Sequence, residues 1–70
     1  MQSNNNSYVL GIDVGGTFTD LVMIRLADGK AFLHKTPSTP ADPSMAMERG
    51  ITEILVSASA QPAEVSYFGH

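Results

Sequence analysis

The first half of the chain carries short apolar runs separated by turn-forming residues, a pattern typical of β-strands. Residues 8–13 lead directly into a glycine pair at 15–16, which predicts a strand followed by a tight turn. Residues 17–26 have apolar side chains on both faces of the alternation, which predicts a central strand covered on both sides. An Asp-Gly pair within residues 27–30 favours a hairpin turn, and residues 31–36 are expected to return as a third, antiparallel strand.

The second half of the chain changes to a helical period. Three prolines in residues 37–43 exclude regular strand pairing and predict an extended connection. Asp42 can accept hydrogen bonds from the first helical turn, and Pro43 suits the first helical position because no N–H is needed there. A helix is therefore expected from here to about Ser59. Its predicted apolar face consists of Met47, Ile51, Ile54, Leu55 and Ala58, with Glu48, Arg49 and Glu53 towards the other face.

Gly50 lies inside this predicted helix, where a glycine costs roughly 1 kcal/mol relative to alanine, so it indicates a close approach to a strand. Residues 65–68 are typical of the start of another strand, with no partner strand after it in this chain. The predicted fold class is α/β, an α+β-type fragment with a three-stranded antiparallel sheet and one covering helix. Its opposite sheet face should be apolar and uncovered, which predicts self-association of this region.

Length, cysteine content and charge limit the kinds of partner that this chain can have. The 70 residues include no cysteine, and a chain of this length buries only roughly 60% of its unfolded surface. We therefore expect it to contact the remainder of the same polypeptide or a second subunit. The net charge of -3 and four scattered basic residues argue against a nucleic acid partner, because binding a polymer of phosphates needs a basic surface.

Residues 1–7 are polar and uncharged, which predicts a disordered tail ahead of a domain over residues 8–70. They lack the basic and apolar segments of a secretory signal. No apolar run approaches the roughly 20 residues of a membrane span. These features predict a cytoplasmic location and no membrane partner.

The candidate chemistry lies in residues 11–20, Gly-Ile-Asp-Val-Gly-Gly-Thr-Phe-Thr-Asp. Gly15 and Gly16 lack β-carbons, so backbone N–H groups there can approach phosphate oxygens closely. Thr17 and Thr19 add hydroxyl donors. The composition predicts a phosphate-binding hairpin.

A carboxylate precedes the glycines. Asp13 could hold Mg²⁺, which prefers carboxylate and phosphate oxygens, and Asp20 could assist it. Spacing alone leaves an alternative open, in which Gly15 and Gly16 simply form a hairpin turn and the polar side chains satisfy local backbone groups. The stretch is neither a P-loop, since no Gly-Lys-Ser/Thr follows, nor a dinucleotide fingerprint.

The same ten residues resemble the opening of the hydantoinase A, 5-oxoprolinase and acetone carboxylase group. A second stretch, Lys-Thr-Pro-Ser-Thr-Pro at residues 35–40 with Asp-Pro-Ser at 42–44, resembles the next motif of that group at the expected distance. His70 resembles the first residue of a following His-Gly-Thr-Thr motif. Sugar kinases share the Asp-x-Gly-Gly-Thr core but usually carry lysine where Phe18 stands. The resemblance spans residues 8–70.

This resemblance implies the opening part of an actin-like, ribonuclease H-type ATPase domain, with ATP and Mg²⁺ as cofactors. The complete enzyme would phosphorylate an amide oxygen of a lactam or hydantoin, so that water opens the cyclic amide; this region alone is expected to be inactive. The resemblance assigns Asp13 to the metal and Gly15, Gly16, Thr17 and Thr19 to phosphate binding. Two alternatives stay open: a non-catalytic structural or subunit-contact module, and an acetone carboxylase-type subunit.

Two further polar residues lie on the third predicted strand. His34 shares a face with Phe32 and is interpreted as structural. Lys35 is interpreted as a solvated strand-end side chain, with a phosphate contact as the alternative.

Overall fold

The computed structural model describes residues 7–67, which form a four-stranded sheet, an α-helix and a short 3-10 turn. The predicted first three strands and the helix are confirmed to within two residues at each end. The predicted tail lies outside the described residues except for Ser7, whose carbonyl accepts from Leu26 N–H at 2.8 Å; Phe68 and His70 also lie outside. The elements are β1 (Tyr8–Val14), β2 (Phe18–Arg25), β3 (Ala31–Pro37), α1 (Pro43–Ala58), the 3-10 turn (Pro62–Glu64) and β4 (Val65–Tyr67).

The strand order is β3-β2-β1-β4, with β1, β2 and β3 antiparallel to their neighbours and β4 parallel to β1. The predicted three-stranded antiparallel sheet is therefore wrong, because the sheet is mixed and has a fourth strand. The partner of β4 precedes it in the chain, with Tyr8 opposite Val65. A parallel partner requires a long crossover, which α1 supplies, and three residues of strand pattern cannot indicate which edge they will join.

One face of the sheet packs against α1. The core contains Tyr8, Leu10, Leu21 and Met23 from the sheet and Ile54, Leu55 and Ala58 from the helix. The helix contribution agrees with the predicted apolar face at these three positions. Met47 and Ile51 are only half-buried, however, whereas Ala46 and Gly50 are buried. Small residues lie at the centre of the contact because the helix backbone comes very near the sheet.

The other face of the sheet, here called the open face, is not covered by any described residue. β2 is central, as predicted, but α1 covers one side of it, so the prediction of cover on both sides fails within residues 7–67. Leu33 is 78% exposed, and its neighbour across the strands, Val22, is 39% exposed. Phe18 and Ile24 extend this surface. The expected apolar, uncovered face is therefore present.

Polar contacts join α1 to β3 along one flank. Arg49 donates to Thr36 Oγ1 at 2.9 Å and to the Pro37 carbonyl at 2.6 Å. Glu53 Oε1 lies 2.6 Å from His34 Nε2. Arg49 and Glu53 are exposed, as expected for the side of α1 opposite its apolar face, and their contacts link the helix to β3.

Candidate phosphate-binding site

The turn between β1 and β2 consists of Gly15, Gly16 and Thr17. Gly15 N–H donates to the Phe18 carbonyl at 3.0 Å. A β-carbon at Gly15 would stand 2.9 Å from that same carbonyl oxygen, so the turn itself requires glycine there. A β-carbon at Gly16 would meet no atom of residues 7–67 within 4 Å. The fold therefore does not require glycine at position 16, and the missing side chain leaves its backbone accessible.

Two adjacent amides of this turn are unpaired within the described part of the chain. Gly16 and Thr17 are exposed, and their N–H groups donate to no protein acceptor among residues 7–67. Neighbouring N–H groups in a glycine-rich turn are a recurrent way for proteins to bind phosphate oxygens. The turn is chemically suited to an anionic group.

The two threonines occupy different environments. Thr17 is exposed, and its carbonyl accepts from Ser38 N–H at 2.9 Å. Thr19 is fully buried, with 0% exposure, and its Oγ1 lies 2.9 Å from Ser38 Oγ. The Thr19 hydroxyl thus lies beneath the turn and does not reach solvent.

The predicted metal ligand lies on the open face of the sheet. Asp13 pairs with Asp20 across β1 and β2, and both are exposed. Lys35 Nζ stands 3.8 Å from Asp20 Oδ1 and 5.1 Å from the centre of the Phe18 ring. Among residues 7–67, no three His, Cys, Asp or Glu side chains come close enough together to hold a metal ion. A magnesium ion at Asp13 would therefore need phosphate and water oxygens for most of its shell, which is how Mg²⁺ usually binds.

The carboxylate pair adjoins a shallow apolar groove on the open face. The groove has a volume of about 570 Å³ and runs from Asp13 and Asp20 over Val22 to Leu33. Gly11, which pairs with Val22, lies at its floor. The polar candidate site and the uncovered apolar surface are thus continuous.

The sequence interpretation missed the role of Ser38. This residue stands directly after β3 but contacts Gly15 and Thr17 of the β1–β2 turn and Thr19 at the start of β2. Its position in the Lys-Thr-Pro-Ser-Thr-Pro stretch was the available signal. Nothing in the spacing of that stretch indicates which turn the serine will reach.

Almost the whole chain matches a known protein family. A family model described as the hydantoinase/oxoprolinase N-terminal region matches residues 9–70. The chain belongs to the hydantoinase/oxoprolinase family. This N-terminal region is 44% identical over 64 residues to caprolactamase subunit alpha of Pseudomonas jessenii.

That match covers 89% of the chain but 9% of the relative, so the region spans less than a tenth of that relative's length. No solved structure matches it. Over residues 7–67, no helix has both the length and the apolar character needed to cross a bilayer.

Proposed function

We propose that this region is the phosphate-binding part of an ATP-dependent enzyme that opens cyclic amides such as lactams or hydantoins. Membership of the hydantoinase/oxoprolinase family supports the reaction class, as does similarity to a caprolactamase subunit. The observation that carries the phosphate-binding role is the pair of free N–H groups at Gly16 and Thr17, close in sequence to the strand-end carboxylate of Asp13.

Each residue has a distinct part in this proposal. Gly15 shapes the turn, while Gly16 and Thr17 donate their N–H groups to phosphate oxygens. Asp13 would hold Mg²⁺ on the open face of the sheet. Thr19 supports the turn from below through its contact with Ser38. Bound ATP would supply a phosphoryl group to the amide oxygen, so that water attacks the carbonyl carbon more easily and phosphate is released as the ring opens.

Fixed N–H donors suit this chemistry because they already point at the place where negative charge develops. They stabilise a transferring phosphoryl group without having to reorganise during the reaction. A glycine at position 16 lets the phosphate come close to the backbone. The open surroundings of that position are consistent with this role.

The remainder of the site has to come from protein outside residues 7–67. We assign the open face to contact with the rest of the polypeptide or with a second subunit, because four apolar side chains there, Phe18, Val22, Ile24 and Leu33, are exposed. The order of the strands, with a parallel strand beside β1 after one helix, supports an actin-like, ribonuclease H-type ATPase domain. The cytoplasmic location stays a prediction.

Two substitutions test the nucleotide role in the complete protein that contains this region. Gly16→Ala should raise the Kd for Mg²⁺ and a non-hydrolysable ATP analogue about tenfold or more, equivalent to about 1.4 kcal/mol. Asp13→Asn should abolish phosphate release stimulated by a lactam or hydantoin. Calorimetric titration and a phosphate-release assay measure the two effects.

Gly29→Asn is the matched control for the glycine substitution. Gly29 occupies another turn with a positive φ of 74°, a conformation that asparagine tolerates. This variant should bind the analogue normally. Wild-type affinity in Gly16→Ala would contradict the phosphate-binding role.

A non-catalytic subunit-contact module is the second candidate, and the exposed apolar face is the observation that favours it. In that case Gly16→Ala and Asp13→Asn would leave nucleotide turnover unchanged. A charge on the open face would instead disrupt assembly of the complete protein.

A further inference from the structure

We propose that Ser38 is a positioning residue that orients the phosphate-binding turn, an inference that rests on the function proposed above. Ser38 lies 23 positions from Gly15 and 19 from Thr19 in sequence. Its N–H donates to the Thr17 carbonyl at 2.9 Å, and its Oγ donates to the Gly15 carbonyl at 2.6 Å. Its Oγ also lies 2.9 Å from Thr19 Oγ1. One residue therefore holds both ends of the turn.

The direction of these hydrogen bonds follows from the number of protons. A serine hydroxyl has one proton, and the Gly15 carbonyl can only accept, so the Ser38 proton is committed to Gly15. Thr19 must then donate to Ser38 Oγ. Because Thr19 is fully buried, this bond satisfies a hydroxyl that would otherwise have no partner among residues 7–67. The result is a continuous series of hydrogen bonds from the Thr19 hydroxyl through the Ser38 hydroxyl to the Gly15 carbonyl.

The bond to Gly15 sets the direction of the neighbouring N–H group. The Gly15 carbonyl and the Gly16 N–H belong to the same planar, trans peptide unit, so they point in opposite directions. When Ser38 draws the Gly15 carbonyl towards itself, the Gly16 N–H must point away from Ser38. The serine thereby presents one of the two amides proposed to bind phosphate.

This peptide unit needs such a restraint because a glycine lies on each side of it. Without β-carbons, glycines rotate readily between conformations that other residues avoid, so the peptide between them can turn over at little cost. Packing supplies little restraint, because no atom in the described part of the chain would lie within 4 Å of a β-carbon at Gly16. A crevice of about 90 Å³ adjoins the turn and is lined on its other side by residues of the segment 38–43. Hydrogen bonds from Ser38 therefore hold the turn.

The experiment compares Ser38→Ala, Ser38→Thr and Ser57→Ala in the complete protein. Ser57→Ala is the matched control, because the Ser57 hydroxyl also donates to a backbone carbonyl, that of Ile54 at 2.9 Å, but lies far along α1 from the turn. Hydrogen–deuterium exchange of the segment 14–19 without nucleotide reports the order of the turn. Calorimetric titration with Mg²⁺ and a non-hydrolysable ATP analogue measures how tightly the protein binds the nucleotide.

We expect Ser38→Ala to accelerate exchange and to raise the Kd of the analogue about tenfold. A rise of this size follows if only about a tenth of the molecules keep the turn in the conformation that binds phosphate. Ser38→Thr keeps the hydroxyl, so its exchange rate and its Kd should match those of the wild type. Ser57→Ala should change neither quantity. Unchanged exchange in Ser38→Ala overturns the inference. So does faster exchange without weaker binding, provided that Gly16→Ala does weaken binding.

The two proposals fail in different ways. If Gly16→Ala binds the analogue normally while Ser38→Ala still accelerates exchange, the phosphate-binding function is overturned, and the hold of Ser38 on the turn is supported. If Ser38→Ala does not fold, the Ser38→Thr variant still tests the inference. Normal exchange and binding there support it because the hydroxyl is retained, and faster exchange with weaker binding overturns it.

Discussion

Gly50 of α1 lies so close to Leu21 of β2 that a β-carbon at position 50 would stand 2.6 Å from one Leu21 methyl group and 3.2 Å from the other. Thr36 Cγ2 would be 3.4 Å away. Both Gly50 and Leu21 are buried, so helix and sheet meet here with no room for a side chain. This contact sets how near α1 approaches the sheet.

Gly50→Ala should therefore destabilise the fold although alanine favours helices. Overpacking a core costs about 1–3 kcal/mol, whereas the gain in helix propensity is about 1 kcal/mol, so we expect a net loss of roughly 1 kcal/mol. Urea unfolding measures the change. Adding Leu21→Val, which withdraws the blocking methyl group, should recover part of it relative to Leu21→Val alone. A more stable Gly50→Ala protein would contradict the close contact.

Ser38 and Thr19 should be energetically coupled. Ser38→Ala leaves the buried Thr19 hydroxyl without its partner, which should lower the free energy of unfolding by about 1–3 kcal/mol. Thr19→Val removes the buried hydroxyl itself and should cost less, about 1 kcal/mol or under. The double variant should then be destabilised by less than the sum of the two single effects, since beyond Thr19→Val it loses only the bond from Ser38 to the Gly15 carbonyl. Additive effects in this double-mutant cycle would show that the two hydroxyls are independent.

The Asp28 carboxyl, in the hairpin between β2 and β3, should titrate at unusually low pH. The pKa of the Asp28 carboxyl is lowered from 3.8 to about 2, first because the Arg25 side chain donates to it and second because Lys30 N–H does. The folded value lies below the unfolded one. The stabilisation is therefore complete above about pH 4 and is lost as the pH falls towards 2.

Carbon NMR titration of the Asp28 carboxyl tests this assignment. Arg25→Gln should move the midpoint up towards 3.8. Lys30→Ala is the control, since it retains the N–H that donates to Asp28 Oδ1 at 3.1 Å, and its midpoint should stay near the lowered value. The contact is exposed, so its effect on overall stability should be small and salt-dependent. An equal shift in both variants would contradict the role of the guanidinium.

The open face should drive self-association of this 70-residue chain. Leu33→Glu places a charge at a position that is 78% exposed, so it should reduce association without unfolding the sheet. Val56→Glu is the control, because Val56 is 74% exposed but lies on α1, away from the open face. Sedimentation velocity over a range of concentrations measures the association of the two variants and of the parent chain. A strictly monomeric parent chain would refute the prediction.

Much of the local structure could be predicted from the sequence. Asp42 caps α1 by accepting from Ser44 N–H at 3.2 Å, and Gly29 adopts the positive φ of a turn, because both preferences act between residues that are neighbours in the chain. The glycine pair at 15–16 likewise predicts its own turn. Gly50 was informative for a different reason: its cost within a helix made a tertiary contact the natural explanation.

The sequence by itself therefore determined the first three strands, the turns between them and the start of the helix, since each depends on short-range backbone preferences. The phosphate-binding role of Gly15, Gly16, Thr17 and Thr19 stays a prediction. Only the tertiary structure decided that β4 pairs with β1, that Thr19 is buried beneath the turn and that Ser38 reaches it. These relationships join residues that are distant in the chain. They depend on where α1 and β3 come to lie when the core packs, and no local pattern encodes that placement.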